Sequence, residues 1–273
     1  MIPISAITEW REYAPWGSSA QVEHDLLLSR ILVELFNNAF LSSKLAFRGG
    51  TAIHKLFLKQ VVRFSEDIDL VQLNAEPIGD TLGELHHLLN SWMGEPKVKF
   101  AEGRATMIYR VQSEEENKPI RIKIEINTRD HFNVLDRIEI PFAVSNKWFS
   151  GETKINTYQL EELMATKLKA LYQRKKGRDL FDFYAVVKEV GINIEEVLHC
   201  FDFYMDAHNN KVTKAQFQKN LEQKRKSKIF NTDMHALLPE NMSYEYDVEW
   251  IYQYLFNEVV HRLPGEPWKG LDK

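Results

Sequence analysis

Two aspartates lie close together in the segment RFSEDIDLV, residues 63–71, which otherwise reads as a buried strand. Because side chains alternate between the two faces of a strand, Asp67 and Asp69 point to one face while Ile68 points to the other. Two carboxylates held this close repel each other, so they require a counter-charge from lysine, arginine or a bound metal ion. The alternative is a strand end exposed to solvent, where short acidic pairs are common.

A third carboxylate lies in the segment IRIKIEIN, residues 120–127. Isoleucine occupies every second position, so one face of this predicted strand is apolar and the other carries Lys123 and Glu125. If this strand neighbours the strand of Asp67 and Asp69, the three carboxylates form an oxygen-rich site that suits Mg²⁺ together with substrate phosphates. The alternative is a solvated sheet face on which Lys123 and Glu125 are exposed charges.

A glycine pair in FRGGTAIHKL falls between a short apolar run and a predicted helix. Gly49 and Gly50 allow close approach to the backbone, and a helix N-terminus offers free N–H groups that suit a phosphate, with the Thr51 hydroxyl as a further donor. The segment lacks the lysine of a Walker A loop and the third glycine of a GxGxxG motif. The alternative is an ordinary tight turn in which Thr51 caps the helix.

A lysine occupies an unusual place in the predicted helix TYQLEELMATKLKALYQR. Lys167 lies four residues after Leu163, on or beside the apolar stripe of the helix. A lysine there either extends along the apolar surface toward solvent or faces inward and pairs with an anion. The next predicted helix begins with Asp179 and Asp182, and their spacing of three assigns Asp179 mainly to capping that helix.

Two kinds of segment position these residues. Residues 1–45 read as helical, and residues 46–150 mix helices with strands at LAFR, DIDLVQL, ATMIYRVQ and IRIKIEIN. From residue 155 onward apolar residues recur at spacings of three and four, which indicates helices. We therefore predict an α+β protein with a mixed β-sheet core and flanking helices in residues 1–150 and a helical domain in residues 151–273, divided in the polar segment NKWFSGETKIN.

Composition limits the classes of partner and compartment. The 273 residues carry a net charge of −4, so no global charge bias indicates a nucleic acid or a membrane surface. A single cysteine, Cys200, excludes an intrachain disulfide framework and is compatible with a reducing cytoplasm. We find no apolar stretch long enough to span a bilayer and no signal-peptide layout at the N-terminus. We therefore expect a cytoplasmic protein without a membrane partner.

Two local basic clusters are exceptions to the balanced charge. Such clusters on helices can follow a phosphate backbone, although most charge runs are solvated faces. The first cluster contains Lys167, Lys169, Arg174, Lys175, Lys176 and Arg178, and the second contains Lys211, Lys214, Lys219, Lys224, Arg225, Lys226 and Lys228.

The segments RGGTAIHKL, RFSEDIDL, KIEIN and LMATKLKALYQRKKGRDLFDFY, in this order, resemble the AbiEii/AbiGii-type toxin nucleotidyltransferases, which include the MenT toxins and belong to the DNA polymerase β-like nucleotidyltransferase superfamily. The resemblance covers residues 20 to 190. It implies a nucleotidyltransferase-like core and a metal-dependent enzyme that transfers a nucleoside monophosphate from an NTP to RNA, expected to be the tRNA 3′ end, with release of pyrophosphate. Two Mg²⁺ ions and a cognate antitoxin are implied as cofactors and partner.

The resemblance also implies a role for each matching residue. The glycine motif holds the triphosphate, the DxD carboxylates bind metal, Lys167 matches the essential lysine of the family, and Glu125 takes the place of the superfamily's third carboxylate. The interval from Gly50 to Asp67 is longer than in the minimal superfamily pattern. The implied catalytic residues are Asp67, Asp69, Glu125, Lys167 and Asp182; the implied nucleotide-binding residues are Arg48, Gly49, Gly50, Thr51, Ser65 and Asp179; and the implied metal ligands are Asp67, Asp69 and Glu125.

The sequence is also compatible with two other functions. The first is nucleotidyl transfer to a small molecule or to a protein hydroxyl, which predicts a salt-insensitive reaction without an RNA requirement. The second is a catalytically silent protein that only binds a nucleotide or a partner, which predicts that Asp69→Ala leaves growth inhibition intact. All the charged residues that the chemistry needs are present, which argues against the silent protein.

Overall fold

The computed structural model describes residues 2–59, 62–114, 116, 118–238 and 246–270. These residues form two compact units, one of residues 2–158 and one of residues 159–238 with 246–270. The first unit contains a β-sheet with helices, and the second is helical. The predicted α+β fold class is confirmed, whereas the functional division at residue 150 stays a prediction.

The first unit is built around one mixed sheet. In the described residues seven strands pair in the order β3-β4-β5-β2-β1-β7-β6. Strand β2 runs antiparallel to β1 and parallel to β5, and β1 runs parallel to β7. The strands are β1 (Leu45–Arg48), β2 (Asp67–Gln72), β3 (Lys97–Ala101), β4 (Arg104–Gln112), β5 (Pro119–Asn127), β6 (Ile138–Ser145) and β7 (Ser150–Thr157); the helices are α1 (Ile4–Trp10), α2 (Ser19–Asn37), α3 (Ala39–Lys44), α4 (Gly49–Leu56) and α5 (Gly79–Met93).

The alternation of isoleucines explains how β5 lies in the sheet. Ile122, Ile124 and Ile126 are fully buried, while Lys123 and Glu125 on the other face are partly accessible. Strand β1 differs, because Leu45, Ala46 and Phe47 are all completely buried and both of its faces are covered. The apolar layers therefore fix β1, β2 and β5 side by side, and polar side chains can be presented from the ends and one face of these strands.

Three strands were not predicted from the sequence. Strand β3 carries Lys97 and Lys99 and the largely exposed Phe100, so it lacks the alternation of a half-buried strand. Strands β6 and β7 form a hairpin, and the segment NKWFSGETKIN, interpreted as a polar domain boundary, contains its turn and most of β7. Thr157 at the end of β7 donates a hydrogen bond of 2.7 Å to the carbonyl of Phe47, which joins the hairpin to β1. The segment predicted as a polar boundary therefore contains strand residues, and the division of the chain at residue 150 stays a prediction.

The second unit consists of helices, as the apolar spacings predicted. The segment VEWIYQYLFNEVVHRL is not one continuous helix, because α11 passes into a π-helical turn at Leu255–Val259 and a 3₁₀ turn at Val260–Arg262. No helix among the described residues is long and apolar enough to cross a membrane. The helices are α6 (Leu160–Gln173), α7 (Gly177–Glu189), α8 (Ile194–Asp206), α9 (Lys214–Arg225), α10 (Lys228–Thr232) and α11 (Val248–Tyr254), with a further 3₁₀ turn at His235–Leu237.

Candidate active site

The carboxylates of the first unit are brought together by the pairing of β2 with β5. In this parallel pair Asp69 is the register partner of Glu125, and Asp67 is the register partner of Lys123. Side chains of paired residues emerge on the same face of a sheet, so the three carboxylates and one ammonium group share one face. The expectation that the two strands are neighbours is confirmed.

Lys123 supplies the counter-charge that two adjacent carboxylates require. Its Nζ lies 2.9 Å from Oδ2 of Asp67 and 3.1 Å from Oε2 of Glu125. Burial lowers the pKa of Lys123, but the two carboxylates outweigh burial and raise it above its ordinary value. Glu125 also accepts a long hydrogen bond of 3.4 Å from Nη1 of Arg104. Lys123 is therefore a built-in cation beside the DxD pair, and not an isolated exposed charge.

Asp69 has the least favourable environment for a negative charge in this group. Burial raises the pKa of its carboxyl above the ordinary value, and the neighbouring charge of Asp67 raises it further. The guanidinium of Arg48, whose backbone is paired with Asp69 across β1 and β2, opposes this shift without cancelling it. A cation bound at Asp69 would remove an energetic cost that the protein alone leaves in place.

The first glycine of the pair lies against this carboxylate. Gly49 is the first residue of α4 and has a φ of +81°, a conformation that L side chains rarely adopt. A Cβ atom built on Gly49 would lie 2.3 Å from Oδ2 of Asp69. Gly50 is buried in the same first turn. Position 49 therefore requires glycine for its backbone angle and for its contact with the acidic pair.

Thr51 and Ser65 connect α4 to the chain that enters β2. The Thr51 hydroxyl donates a hydrogen bond of 2.5 Å to the carbonyl of Asp67 and lies 3.0 Å from Oγ of Ser65. Arg63 donates a 3.3 Å hydrogen bond to the same Ser65 hydroxyl. The N-cap of α4 is Arg48, with no side-chain cap, so the alternative in which Thr51 caps the helix is wrong. In the structure the Thr51 hydroxyl holds the backbone of Asp67 directly, and the Ser65 hydroxyl contacts Thr51.

A buried histidine, which the sequence analysis did not single out, supports the same strand from α2. Nε2 of His24 lies 2.9 Å from the carbonyl of Glu66, the residue before β2, and the ring packs edge-on against Phe64. Burial lowers the pKa of His24 to about 4. The signal available in the sequence was the run of polar residues in VEHDLLLS, inside an otherwise apolar helix.

The second unit contains an independent cluster around Lys167. Its Nζ lies 2.6 Å from Oδ2 of Asp182 and 3.2 Å from Oδ1 of Asp179, and both carboxylates are completely buried. Lys167 itself is only 6% exposed. The prediction that this lysine either faces inward to an anion or extends toward solvent is thus resolved in favour of the inward orientation, with two anions instead of one.

Arg174 completes this cluster from the end of α6. Its Nε and Nη2 each lie 2.7 Å from a carboxylate oxygen of Asp179, which is a bidentate pair. Burial would raise the pKa of Asp179, but Lys167 and Arg174 lower it below its ordinary value. The N-cap of α7 is Lys176, and the Asp179 side chain makes no cap hydrogen bond. The assignment of Asp179 mainly to helix capping was therefore wrong, because two cations hold its carboxylate.

The donor set at the DxD pair suits a divalent cation that is shared with a substrate. Within the described residues no group of three or more His, Cys, Asp or Glu side chains is arranged to hold a metal ion. Mg²⁺ commonly binds through one or two carboxylates together with substrate phosphates, and not in a closed protein cage. Asp67 and Asp69 match that requirement, and the ammonium of Lys123 shows that a cation is accommodated there. The metal role of Glu125, which contacts Lys123 and Arg104, stays a prediction.

Comparison with solved structures shows the fold. The chain superposes on MenT4, a nucleotidyltransferase toxin from Mycobacterium tuberculosis H37Rv, with a TM-score of 0.70 and 18% sequence identity, covering 95% of this chain and 90% of that one. JHP933 from Helicobacter pylori matches with a TM-score of 0.57 and 18% identity over 88% of this chain and 90% of that chain. No curated protein sequence matches significantly.

A family model identifies the chain independently of its three-dimensional structure. Residues 30–254 match the model described as nucleotidyl transferase AbiEii toxin, type IV toxin–antitoxin system. The matched range includes the DxD carboxylates, the glycine pair and the Lys167 cluster. Membership implies an NTP substrate and an antitoxin partner. The chain therefore belongs to the AbiEii family of toxin nucleotidyltransferases.

Proposed function

We propose that this toxin transfers a nucleoside monophosphate from an NTP to an RNA acceptor, the 3′ end of tRNA, in the cytoplasm. The observation that supports the proposal most directly is the acidic pair Asp67 and Asp69 on one face of β2, with Gly49 in contact with Asp69. A pair of carboxylates next to a side-chain-free helix start can accommodate both a divalent cation and the phosphates that the cation binds.

The proposed reaction is a single displacement at the α-phosphorus. The acceptor hydroxyl oxygen forms the new bond, the bond from the α-phosphorus to the bridging oxygen breaks, and pyrophosphate leaves with the electron pair. A carboxylate of the DxD pair accepts the hydroxyl proton. Mg²⁺, proposed as two ions held by Asp67, Asp69 and Glu125, would supply charge neutralisation on the attacking and leaving oxygens when bound.

The remaining residues are proposed to position the nucleotide. The backbone N–H groups of Gly49 and Gly50 and the guanidinium of Arg48 are suited to bind phosphate oxygens. Thr51 and Ser65 act indirectly, since their hydroxyls fix the start of β2.

In the second unit, Lys167 is proposed to be a catalytic residue, as the essential lysine of the family. Asp179 and Asp182 hold its ammonium in one place. Fixed charges of this kind act by stabilising the transition state without reorganising during the reaction.

Incubation of the protein with Mg²⁺, total tRNA and each labelled NTP separately tests the proposal. We expect label on tRNA with at least one NTP, no label after chelation of the metal, and none with Asp69→Asn, which keeps the size of the side chain but removes its charge. Label on a protein or a small molecule would replace RNA as the acceptor. An absence of transfer with all four nucleotides and every acceptor class would contradict the proposed chemistry altogether.

A further inference from the structure

Some residues of the two basic clusters are buried or are paired with carboxylates. Lys224 is 1% exposed, and its ammonium donates to the carbonyls of Leu171 and Tyr172 and to the side chain of Asn220. It therefore caps the end of α6, where free carbonyls carry partial negative charge.

Arg225 is also unavailable as a free charge. Its guanidinium pairs with Glu222 and Glu249. Because Lys224 is buried and Arg225 is paired, fewer residues of the second cluster can contact a partner than the sequence suggested.

Several lysines of the second unit remain exposed, and four of them lie in two short segments. Lys175 and Lys176 lie between α6 and α7, Lys226 follows α9, and Lys228 begins α10. None of the four forms an ion pair within the described part of the chain. We call these four residues the basic surface.

Two contacts hold the segment of Lys175 and Lys176 beside the segment of Lys226 and Lys228. On one side, the Lys224 ammonium binds the carbonyls of Leu171 and Tyr172, just before Lys175. On the other side, the backbone N–H of Gly177, just after Lys176, donates to both carboxylate oxygens of Asp233 at 3.0 and 3.1 Å.

Gly177 is tightly fitted at this second contact. A Cβ atom on Gly177 would lie 2.2 Å from the carbonyl of Phe230. Lys175 and Lys176 lie in the segment 173–176, and Lys226 and Lys228 lie in the segment 225–229. Both segments run between the same two contacts, so they lie beside each other.

We infer that the basic surface binds the phosphate backbone of the RNA acceptor, an inference that rests on the proposed function. Lysine ammonium groups are flexible point charges that suit successive phosphates, and phosphate contacts of this kind position a nucleic acid without reading its sequence. Ile229, which is 81% exposed beside Lys228, offers an apolar contact to a ribose or a base.

The basic surface continues into the Lys167 cluster. Arg174, the residue before Lys175, is nearly half exposed and binds the buried carboxylate of Asp179. RNA bound at the basic surface would therefore lie next to a residue that fixes the Lys167 cluster.

An acidic protein surface is the competing partner, and the composition of the basic surface favours RNA over it. The basic surface has one exposed large apolar side chain, Ile229, among four lysines, whereas protein interfaces are enriched in aromatic residues and depleted in lysine.

Binding of total tRNA to the full chain without NTP, measured by filter binding across a range of salt concentrations, tests the inference. The test variant carries Lys175→Gln, Lys176→Gln, Lys226→Gln and Lys228→Gln. If each lysine contacts one phosphate, the slope of log affinity against log salt falls by about 3 to 4, and affinity at moderate salt falls about 10- to 100-fold.

A matched control variant carries Lys97→Gln, Lys99→Gln, Lys211→Gln and Lys214→Gln. It removes the same charge from two positions on β3, from a position just before α9 and from the first residue of α9. We expect the control to keep nearly all of the wild-type affinity and salt slope. Equal losses in both variants would overturn the inference in favour of non-specific attraction.

Unchanged tRNA binding in the test variant, or a loss of binding to an acidic protein partner with tRNA binding intact, would also overturn the inference. Asp69→Asn separates this test from that of the proposed function, because it is expected to bind tRNA normally while transferring nothing. Transfer to RNA with an unaffected test variant would leave the proposed function in place and refute only the basic surface.

Discussion

Gly49 and Asp69 are in direct contact, with the space for a Cβ atom on the glycine already filled by Oδ2 of the aspartate. We expect Gly49→Ala to displace the carboxylate and to strain a backbone held at a φ of +81°. Displacement by about 1 Å of a positioned catalytic group costs about 100-fold in rate, and the backbone strain costs about 1 to 2 kcal/mol of unfolding free energy. Nucleotidyl transfer assays and urea unfolding measure the two effects.

Gly83→Ala is the matched control, since this glycine lies in α5 with nothing within 4 Å of a built Cβ. Alanine is the better helix former, so this variant is expected to gain about 0.5 to 1 kcal/mol of stability and to keep its transfer rate. Equal transfer rates in the Gly49 and Gly83 variants would show that the contact with Asp69 has no part in the reaction.

Lys123 competes with a metal ion for the same carboxylates. Its Nζ contacts Asp67 and Glu125 in the structure, so Lys123→Gln removes a positive charge that Mg²⁺ must otherwise displace or tolerate. We expect Mg²⁺ to bind the variant about fivefold more tightly, equivalent to about 1 kcal/mol. Without Mg²⁺ the variant is expected to be less stable, because the carboxylates lose their counter-charge.

Isothermal titration with Mg²⁺ and thermal unfolding with and without Mg²⁺ provide readouts that do not depend on activity. Lys118→Gln is the control for the change in net charge, because Lys118 is largely exposed and pairs with Glu116 away from β2. If Mg²⁺ binds wild type and the Lys123 variant equally well, the DxD face is not where the ion binds.

The buried charges around Lys167 allow stability to be separated from chemistry. Lys167→Met leaves the buried carboxylates of Asp179 and Asp182 without their shared cation, and breaking a buried pair in this way costs about 3 to 5 kcal/mol. Adding Asp182→Asn removes the negative charge of the carboxylate that lies closest to Lys167, while Asp179 keeps Arg174. The double variant is therefore expected to regain much of the stability lost in Lys167→Met.

If Lys167 acts on the substrate, the double variant stays inactive in the transfer assay although it is folded. Arg174→Gln provides a comparison, because it weakens the support of Asp179 but keeps the Lys167 ammonium. Recovery of transfer together with stability in the double variant would assign Lys167 a structural role only.

The parts of the fold with strict periodicity were predictable from the sequence. Alternating isoleucines predicted β5. The alternation of side chains along a strand also predicted that the two aspartates lie on one face of β2. The approach of Glu125 to these aspartates depends on the pairing of β2 with β5, which are far apart in the chain. It could therefore be predicted only on the condition that the two strands are neighbours. The position of Lys167 on or beside the apolar stripe was predictable from its helix, but its inward orientation stayed open. The bidentate pair of Arg174 with Asp179 depends on how α6 and α7 pack.

Other features had no local signal. The exposed positions of β6 and the polar composition of β7 hide a hairpin that pairs with β1 through Phe47 and Thr157. The sequence could not show that Lys224 is buried while its neighbours are exposed. A lysine that caps a distant helix end has the same sequence signature as a solvated lysine. Capping by Asp179 was predicted from spacing alone, and two cations from elsewhere in the unit overrode it.

His24 predicts a pH dependence of stability. Burial lowers its pKa in the folded protein to about 4, from an ordinary value of 6.5. Above pH 6.5 the ring is neutral in both states, and its packing against Phe64 and its hydrogen bond to Glu66 contribute fully. As the pH falls from 6.5 toward 4, the unfolded chain binds a proton that the folded protein does not, so stability is lost. At pH 4.5 the loss is about 2 to 3 kcal/mol.

Urea unfolding of wild type and His24→Gln at pH 7 and pH 4.5 isolates this effect, because the other titrating groups cancel in the comparison. We expect the stability advantage of wild type over the variant to shrink by about 2 to 3 kcal/mol between the two pH values. His87→Gln, at an exposed position of α5, is expected to leave the pH dependence unchanged. If the stability advantage of wild type stays constant with pH, His24 accepts its proton as readily in the folded protein as in the unfolded chain. Its contact with Glu66 would then not require the neutral ring.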